Sequence, residues 1–217
     1  MKTLHQQISE FTESFVAEVP AEALATMNQA KDDLEKTGIV ATSLQVGDEA
    51  PNFTLPNHQG EPTNLKSLLQ KGPVVISFYR GGWCPYCNLQ LAALQQALPE
   101  IQATGASFVA ITPETPDHTL TTAQKHALEF TVLSDARNAV AQQFGLKFVV
   151  AENLRPLYAS FGIDLPATNG DDTFTLPLPA TFVIGTDQKV TYRFVDHDYS
   201  QRAEPADIVQ ALSKSSA

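Results

Sequence analysis

The stretch Phe78-Tyr79-Arg80-Gly81-Gly82-Trp83-Cys84-Pro85-Tyr86-Cys87 decides how the fold of this chain is interpreted. It follows an apolar run at residues 74–78 that is typical of a buried central strand. The two glycines end that strand, and Pro85 favours the first turn of a helix. Apolar residues at three- and four-residue steps continue the helix through Leu91, Leu94, Leu98 and Ile101. The pattern therefore predicts a strand, a glycine loop and a helix that begins at or beside Cys84.

Cys84 and Cys87 are the only cysteines of the chain, and their place makes them candidates for redox chemistry. Unpaired backbone N–H groups and the helix dipole favour a negative charge at a helix N-terminus. In Cys-x-x-Cys sites the thiol pKa falls from about 8.5 to roughly 3.5–7.5. Because Cys87 lies about one helical turn after Cys84, the two sulfurs can meet and cycle between dithiol and disulfide. The alternative is a pair of small buried residues without chemistry.

The composition limits the class of protein. A chain of 217 residues, 43% of them hydrophobic, is long enough for one domain core with an appendage. A net charge of −10 argues against nucleic acid and anionic membranes as partners. No stretch approaches the roughly 20 apolar residues of a membrane span, and residues 1–7 lack the apolar segment of a secretory signal. We therefore expect a cytoplasmic protein.

The cysteine and histidine content does not indicate a metal site. Two cysteines are too few for the disulfide framework of a small secreted protein. A four-ligand zinc site needs two further ligands, and the five histidines are scattered along the sequence. The side chains of Asp196-His197-Asp198 would alternate between the faces of a strand, so a solvated strand end is the simpler interpretation. We predict neither a metal nor another cofactor.

Hydrophobic periodicity divides the chain into a helical extension at residues 1–44 and a main domain at residues 45–217. Helical spacing of apolar residues predicts helices over residues 4–36, with Pro20 starting the second helix and Gly38 ending it. This helical hairpin packs on its own domain or, as the alternative, forms the contact of a homodimer.

The main domain alternates strand-like and helix-like runs. Residues 180–185 and 189–195 predict a β-hairpin, and residues 206–212 predict a closing helix. Such an order indicates the α/β class, with a central mixed sheet flanked by helices.

Four segments carry a resemblance to known families. Residues 78–87 resemble a thioredoxin-superfamily active site. Their Cys-Pro-Tyr-Cys at residues 84–87 is similar to that of glutaredoxins, and the preceding Trp83 is similar to the tryptophan of thioredoxins. Residues 46–55, 130–135 and 180–184 resemble peroxiredoxins. Over residues 46–212 the chain resembles the peroxiredoxin-like group of the alkyl hydroperoxide reductase/thiol-specific antioxidant (AhpC/TSA) superfamily. The resemblance implies a thioredoxin-like fold of the peroxiredoxin type and an antioxidant, thiol-dependent peroxidase.

The resemblance leaves the roles of the two cysteines open. The peroxiredoxin motif Pro-x-x-x-Thr/Ser-x-x-Cys places the attacking cysteine at Cys87, with Cys84 in place of the threonine and Arg80 in place of the proline. The arginine of the family's second half falls at Pro179, so we expect the peroxide-polarising hydroxyl and guanidinium to be missing. Pro179 is similar instead to the thioredoxin proline, which is cis and faces the disulfide. The thioredoxin alignment makes Cys84 the exposed nucleophile, with Cys87 deeper and more buried.

The predicted supporting residues are Arg80, Trp83, Pro85 and Pro179. Arg80 adds positive potential beside a thiolate or, alternatively, forms a surface or structural ion pair. We interpret Trp83 as a packing and recognition surface, and Tyr86 as half-exposed packing. Residues 153–172 form an insertion near the proline turn that shapes a substrate entrance or simply connects two elements.

Three functions are compatible with this pattern. The first is a peroxidase in which a thiolate reduces a hydroperoxide and the resulting sulfenic acid condenses to the Cys84–Cys87 disulfide. A thioredoxin- or glutathione/glutaredoxin-type donor would then restore the dithiol by exchange. The second is a disulfide reductase or isomerase for protein substrates, which would explain the missing peroxide-binding residues. The third is a non-catalytic redox sensor whose partner distinguishes the dithiol from the disulfide.

Overall fold

The structure is a computed structural model that describes residues 2–215. The helices are α1 (Leu4–Glu18), α2 (Ala21–Lys36), α3 (Ile39–Thr42), α4 (Leu65–Leu69), α5 (Pro85–Ala103), α6 (Pro116–Lys125), α7 (Ala139–Gln143), α8 (Arg155–Ser160), α9 (Leu165–Asn169) and α10 (Pro205–Ser215). The strands are β1 (Thr54–Pro56), β2 (Pro62–Asn64), β3 (Val74–Phe78), β4 (Ser107–Thr112), β5 (Thr131–Ser134), β6 (Lys147–Val149), β7 (Thr175–Pro177), β8 (Ala180–Ile184) and β9 (Val190–Val195). Over this range no helix combines the length and the apolar composition that crossing a bilayer requires.

A five-stranded sheet forms the centre of the molecule, in the order β5-β4-β3-β8-β9. Strands β3, β4 and β5 are parallel, whereas β8 and β9 run antiparallel to their neighbours. Every residue of β3 and β8 is buried, which explains why both are apolar without alternation. The predicted α/β class with a mixed central sheet and a closing hairpin is confirmed.

Different helices cover the two faces of this sheet. Val75 of β3 packs with buried residues of α1, α5 and α10 on one face. Its neighbours Val74 and Ile76 point to the other face and pack with α4 and α7. Because α5 follows β3 directly, its N-terminus lies at the carboxyl edge of a central strand. Open α/β sheets hold their ligands at that edge.

The N-terminal helices pack against the rest of the chain. Leu4 is buried, and its backbone N–H and that of His5 donate hydrogen bonds of 3.3 and 2.6 Å to the Glu204 carboxylate. Lys31 of α2 forms an ion pair of 3.0 Å with Asp198. Asp198 is therefore part of this contact, although residues 196–198 remain partly exposed just after the end of β9, as expected of a solvated strand end. The division between residues 44 and 45 stays a prediction.

The proline turn was predicted wrongly. Throughout the described chain every peptide bond is trans, so Pro179 is not a cis-proline of the thioredoxin kind. The chain runs from β7 to β8 without a turn or bend at Leu178 and Pro179. Leu178 donates its backbone N–H to the carbonyl of Leu146 at 2.8 Å. A trans bond suits this path, because a residue before proline favours extended backbone.

Candidate active site

A glycine loop connects β3 to α5 and positions both cysteines. Gly81 has a φ of +153°, and a Cβ there would lie 2.3 Å from Trp83 Nε1, so only glycine fits. A Cβ on Gly82 would lie 2.1 Å from Thr122 Oγ1. The backbone N–H of Gly82 donates a 3.0 Å hydrogen bond to Glu114 Oε2. Close packing and this hydrogen bond therefore fix the loop against the segment that follows β4.

Cys84 is the N-cap of α5, and Cys87 lies in its first turn. Both are free thiols, and both have 0% exposed surface. The expectation of a buried Cys87 is confirmed, and that of an exposed Cys84 is wrong. The physical reason is that guanidinium groups from two other positions, Arg80 and Arg202, cover the two sulfurs. The two thiols also form a hydrogen bond with each other.

Arg80 contacts the sulfur of Cys84 directly. Its Nη2 donates to Cys84 Sγ at 3.1 Å, and its Nη1 donates to the Tyr158 hydroxyl at 3.1 Å. The guanidinium carbon lies 4.1 Å from the ring centroid of Tyr199 and 5.1 Å from that of Trp83, at distances typical of cation–π contacts. Arg80 is only 5% exposed. It is thus held against the sulfur, and the surface ion pair considered as its alternative is not formed.

A second guanidinium, which the sequence analysis missed, reaches Cys87. Arg202 is 1% exposed, and its Nη2 lies 3.6 Å from Cys87 Sγ. Its Nη1 donates to Gln90 Oε1 at 2.6 Å, and its Nε donates to the backbone carbonyl of Tyr199 at 2.8 Å. Arg202 stands 115 positions from Cys87, just before α10, and no motif around it signals the contact.

The expectation that the site lacks a guanidinium is therefore wrong. Arg80 and Arg202 bring positive charge to the sulfurs from places in the chain other than Pro179. The sulfur of Cys84 has the thiol of Cys87 and the guanidinium of Arg80 as its hydrogen-bond donors.

The surroundings shift the pKa values of the two thiols in opposite directions. Burial by itself raises the pKa of Cys84, but the hydrogen bond from Cys87 and the charges of Arg80 and Arg202 outweigh it and hold that pKa well below its usual range. Burial also raises the pKa of Cys87, and the hydrogen bond and charge of the Cys84 thiolate raise it further. Of the two thiols, Cys84 is therefore the one that ionises first, and Cys87 is the one that retains its proton.

Glu114 is a buried carboxyl group beside the loop, and the sequence analysis missed it as well. It is 3% exposed. Burial raises its pKa, the hydrogen bond from Gly82 lowers it and the charge of Cys84 raises it, with the result that the pKa is about 7. One signal could have revealed it, since a charged residue directly after a buried parallel strand lies at the same sheet edge as Cys84.

An aromatic cavity of about 170 Å³ opens beside Arg80. Its lining residues are Phe11, Phe15, Met27, Arg80, Trp83, Pro85, Tyr86, Tyr158, Phe161, Ile163 and Tyr199. Arg80 is the one charged residue in this lining, and the others are apolar or aromatic. The walls combine the N-terminal helices, the glycine loop with the start of α5, residues 153–172 and Tyr199, so four distant parts of the sequence meet there. A larger cavity of about 760 Å³ between α8 and α9 has none of the predicted site residues in its lining.

The remaining predicted residues lie around the same loop. Trp83 is half-buried, and Pro85 is the exposed first residue of α5. Tyr86 is only 6% exposed, because Phe11 of α1 packs edge-on against its ring at 5.0 Å. The expectation of a half-exposed Tyr86 is therefore wrong. Pro179 is buried directly before β8, whose first residue pairs with the last residue of β3.

A central mixed sheet with a Cys-x-x-Cys at the start of the helix after β3 defines the class of the protein: a dithiol protein with a thioredoxin-like fold of the peroxiredoxin type. The model of the AhpC/TSA family matches residues 46–193, which is more than half of the chain. The chain belongs to the AhpC/TSA family, as its motifs predicted.

Individual relatives agree with this assignment. Peroxiredoxin Bcp of Escherichia coli (strain K12) is 35% identical over 103 residues, which are 48% of this chain and 65% of that protein. This chain thus spans slightly less than two thirds of the E. coli protein. A putative peroxiredoxin of Mycobacterium tuberculosis is 30% identical over 147 residues, 68% of this chain and 82% of that protein. The crystal structure of Peroxidoxin BcpB from Mycobacterium tuberculosis superposes with a TM-score of 0.62 at 27% identity, covering 79% of this chain and 97% of that one.

Proposed function

We propose that this chain is a thiol-dependent peroxidase that reduces hydroperoxides through a Cys84–Cys87 dithiol–disulfide cycle. The observation that carries the proposal is the 3.1 Å contact between Arg80 Nη2 and Cys84 Sγ, on a sulfur that also accepts a hydrogen bond from Cys87. Thiolates are the reactive form of cysteine, and this arrangement stabilises the thiolate. Membership in the AhpC/TSA family and similarity to proteins named peroxiredoxins support the proposal.

In the first step the Cys84 thiolate attacks the terminal oxygen of the hydroperoxide ROOH. A sulfur–oxygen bond forms, the oxygen–oxygen bond breaks and Cys84 becomes a sulfenic acid. The leaving alkoxide RO⁻ takes the proton of Cys87 and departs as the alcohol ROH. Cys87, already hydrogen-bonded to the attacking sulfur, is the nearest proton source and becomes a thiolate in the process.

In the second step the Cys87 thiolate attacks the Cys84 sulfenic sulfur. The disulfide forms and hydroxide leaves, so the peroxide is reduced by two electrons while two thiols are oxidised. A dithiol donor of the thioredoxin or glutathione/glutaredoxin type then reduces the disulfide by two thiol exchanges. We propose the cytoplasm as the compartment, where such donors are kept reduced. A homodimer is the alternative to a monomeric enzyme.

The aromatic cavity supports an organic hydroperoxide with a compact apolar group as substrate. Its lining offers apolar and aromatic surface with one charged group, Arg80, at the end nearest Cys84. Burial of an apolar group in such a cavity contributes binding energy in proportion to its area. Arg80 is then in place to stabilise the negative charge that develops on the peroxide oxygens.

The second hypothesis, a disulfide reductase for protein substrates, predicts rapid thiol exchange with a disulfide and no fast reaction with peroxide. Both the reductase and the proposed peroxidase need the buried sulfurs of Cys84 and Cys87 to become accessible to a protein partner, so burial does not separate the two. The redox-sensor hypothesis predicts no turnover with any donor. The same experiment therefore separates all three functions.

The test is stopped-flow fluorescence of the reduced protein, with Trp83 as the reporter because it is the only tryptophan. Trp83 packs on Arg80 and Tyr158, so its emission should change when the Cys84 charge disappears. The protein is mixed with a compact organic hydroperoxide and, separately, with hydrogen peroxide. Cys84→Ser and Cys87→Ser are measured beside it.

We expect a fast first phase that Cys84→Ser abolishes and Cys87→Ser retains, and a second phase that Cys87→Ser abolishes. Oxidation no faster than that of a free thiol, together with rapid exchange with a disulfide substrate, would contradict the peroxidase and favour the reductase. Slow reaction with peroxide and with every donor would favour the sensor. Loss of the first phase in Cys87→Ser alone would exchange the roles of the cysteines.

A further inference from the structure

The charge of Arg202 has no carboxylate to balance it. Within residues 2–215 no ion pair forms on this side chain, whose hydrogen-bond acceptors are Gln90, the Tyr199 carbonyl and Cys87 Sγ. It is nevertheless among the largest fully buried side chains of the protein. A buried charge is costly unless an opposite charge stands near it. The Cys87 sulfur, which can carry a negative charge, lies 3.6 Å from Nη2 of this guanidinium.

We propose that Arg202 is a catalytic residue of the resolving step, in which it stabilises the Cys87 thiolate that attacks the sulfenic acid of Cys84. This inference rests on the proposed peroxidase cycle and adds a separate role to it. Arg80 contacts Cys84 and Arg202 contacts Cys87, so each sulfur has its own guanidinium. Arg80 serves the attack on peroxide, and Arg202 serves the formation of the disulfide.

The movement of charge during the reaction explains why two arginines are needed. Before the reaction the negative charge is on Cys84, which keeps the proton on Cys87. When Cys84 becomes a neutral sulfenic acid, the charge that raised the pKa of Cys87 is gone. The proton passes to the leaving alkoxide and the negative charge moves to Cys87 Sγ. The guanidinium of Arg202 is already 3.6 Å from that atom, so no group has to move to receive the charge.

The fixed position of Arg202 supports this role. Gln90 in α5 and the backbone carbonyl of Tyr199 hold the guanidinium on two sides. Gln90 Nε2 lies in turn 3.5 Å from Thr181 Oγ1 of β8. A guanidinium held in this way stabilises a new charge without the cost of reorganisation.

The first experiment compares the two fluorescence phases in Arg202→Met, Arg202→Lys and the wild-type protein at several pH values and takes the plateau rates at high pH, because the charge of Arg202 also lowers the pKa of Cys84. We expect Arg202→Met to slow the second phase by roughly tenfold to a hundredfold, the effect of losing a hydrogen bond to a charged group. The first phase should change far less. A sulfenic acid at Cys84 should accumulate and be trapped by dimedone. Arg202→Lys, which keeps the charge, should recover part of the rate.

Arg80→Met is the matched control and should show the opposite pattern, with the first phase slowed more than the second. A purely structural role of Arg202 would slow both phases equally and would lower the melting temperature in Arg202→Lys as much as in Arg202→Met. Either that result or an unchanged second phase would overturn the inference.

A second measurement does not depend on peroxidase activity. In Cys84→Ser the remaining thiol is Cys87, and its pKa can be followed by the ultraviolet absorbance of the thiolate. Adding Arg202→Met should raise this pKa, because the guanidinium favours the charged form. An unchanged Cys87 pKa would overturn the inference even if the enzyme is active. A raised pKa in a protein without peroxidase activity would keep the Arg202–Cys87 coupling and reject the proposed function.

Discussion

Nη2 of Arg80 lies 3.1 Å from Sγ of Cys84, four residues further along the chain. The contact exists because β3 ends, the chain reverses through Gly81 and Gly82, and α5 starts at Cys84. A guanidinium from the end of the strand thus meets the sulfur at the start of the helix. The reactivity of a thiol in such a site depends on stabilising the thiolate anion, so the Arg80 contact is the first one to test.

Arg80→Met should raise the pKa of the Cys84 thiol, because it removes a hydrogen bond and a positive charge from the thiolate. At about neutral pH the first phase with hydroperoxide should slow by roughly tenfold or more. The rise of that rate with pH should move to higher pH. Thiolate absorbance and the rate profile measure both effects. Arg193→Met is the control, since Arg193 donates to Ser43 and Gln45, away from the cysteines, and an equal pKa change there would reject the contact as the cause.

Glu114→Gln should change how stability depends on pH. The folded-state pKa of Glu114 is raised from 4.5 to about 7, so the folded protein keeps a proton that the unfolded chain loses. Its contribution to stability is therefore lost as the pH rises from about 4.5 to about 7, a loss of about 3 kcal/mol. In Glu114→Gln the side chain does not titrate, so the free energy of unfolding should not show this decrease between about pH 4.5 and 7. Urea unfolding of the reduced proteins at several pH values measures this difference. Glu13→Gln, at an exposed position of α1, is the control. Parallel pH profiles of wild type and Glu114→Gln would contradict the prediction.

Gly82→Ala should destabilise the protein by about 1–3 kcal/mol and misplace the loop. The reason is steric, since the new Cβ would lie 2.1 Å from Thr122 Oγ1. Thr122→Ala removes that oxygen and should recover part of the loss in the double variant. Denaturant unfolding of both single variants and the double variant gives the coupling energy. Strict additivity of the two substitutions would show that this contact is not the cause.

Phe11→Ala should lower kcat/KM for apolar hydroperoxides more than kcat/KM for hydrogen peroxide. Phe11 comes from α1, lines the cavity beside Arg80 and packs on Tyr86 at 5.0 Å. Its removal opens one wall, so an apolar substrate loses contact area that hydrogen peroxide never uses. We expect a several-fold rise in KM for the organic substrate. Val16→Ala on the same helix, 50% exposed, is the control. An equal loss with both peroxides would reject a role of the N-terminal helix in substrate choice.

Local sequence was sufficient to predict the elements whose structure depends on residues close together in the chain. The apolar run of β3, the glycine pair and Pro85 predicted the strand, loop and helix at residues 74–103, and the structure places them there. The closing hairpin of β8 and β9 was predicted in the same way. In each case the pattern repeats at the period of the element itself, so neighbours in sequence carry the signal.

The prediction of a cis-proline turn at Pro179 was wrong. It came from a resemblance in local sequence, whereas the backbone geometry of Pro179 depends on the preceding strand β7, which pairs with β6. The exposure of Cys84 and Tyr86 failed similarly. Arg80 covers Cys84 from just after β3, whereas Phe11 and Tyr199, which are distant from α5 in sequence, cover Tyr86.

The sequence by itself determined the α/β fold, the family and the placement of two cysteines at a helix start. Those features follow from periodicity and from the chemistry of a helix N-terminus, which act over a few residues. The tertiary structure alone decided which thiol is ionised, because that depends on burial and on charges around both sulfurs. It also brought Arg202 across 115 positions to Cys87. Electrostatic interactions act through space, and the order of strands in the sheet decides which distant charges come close.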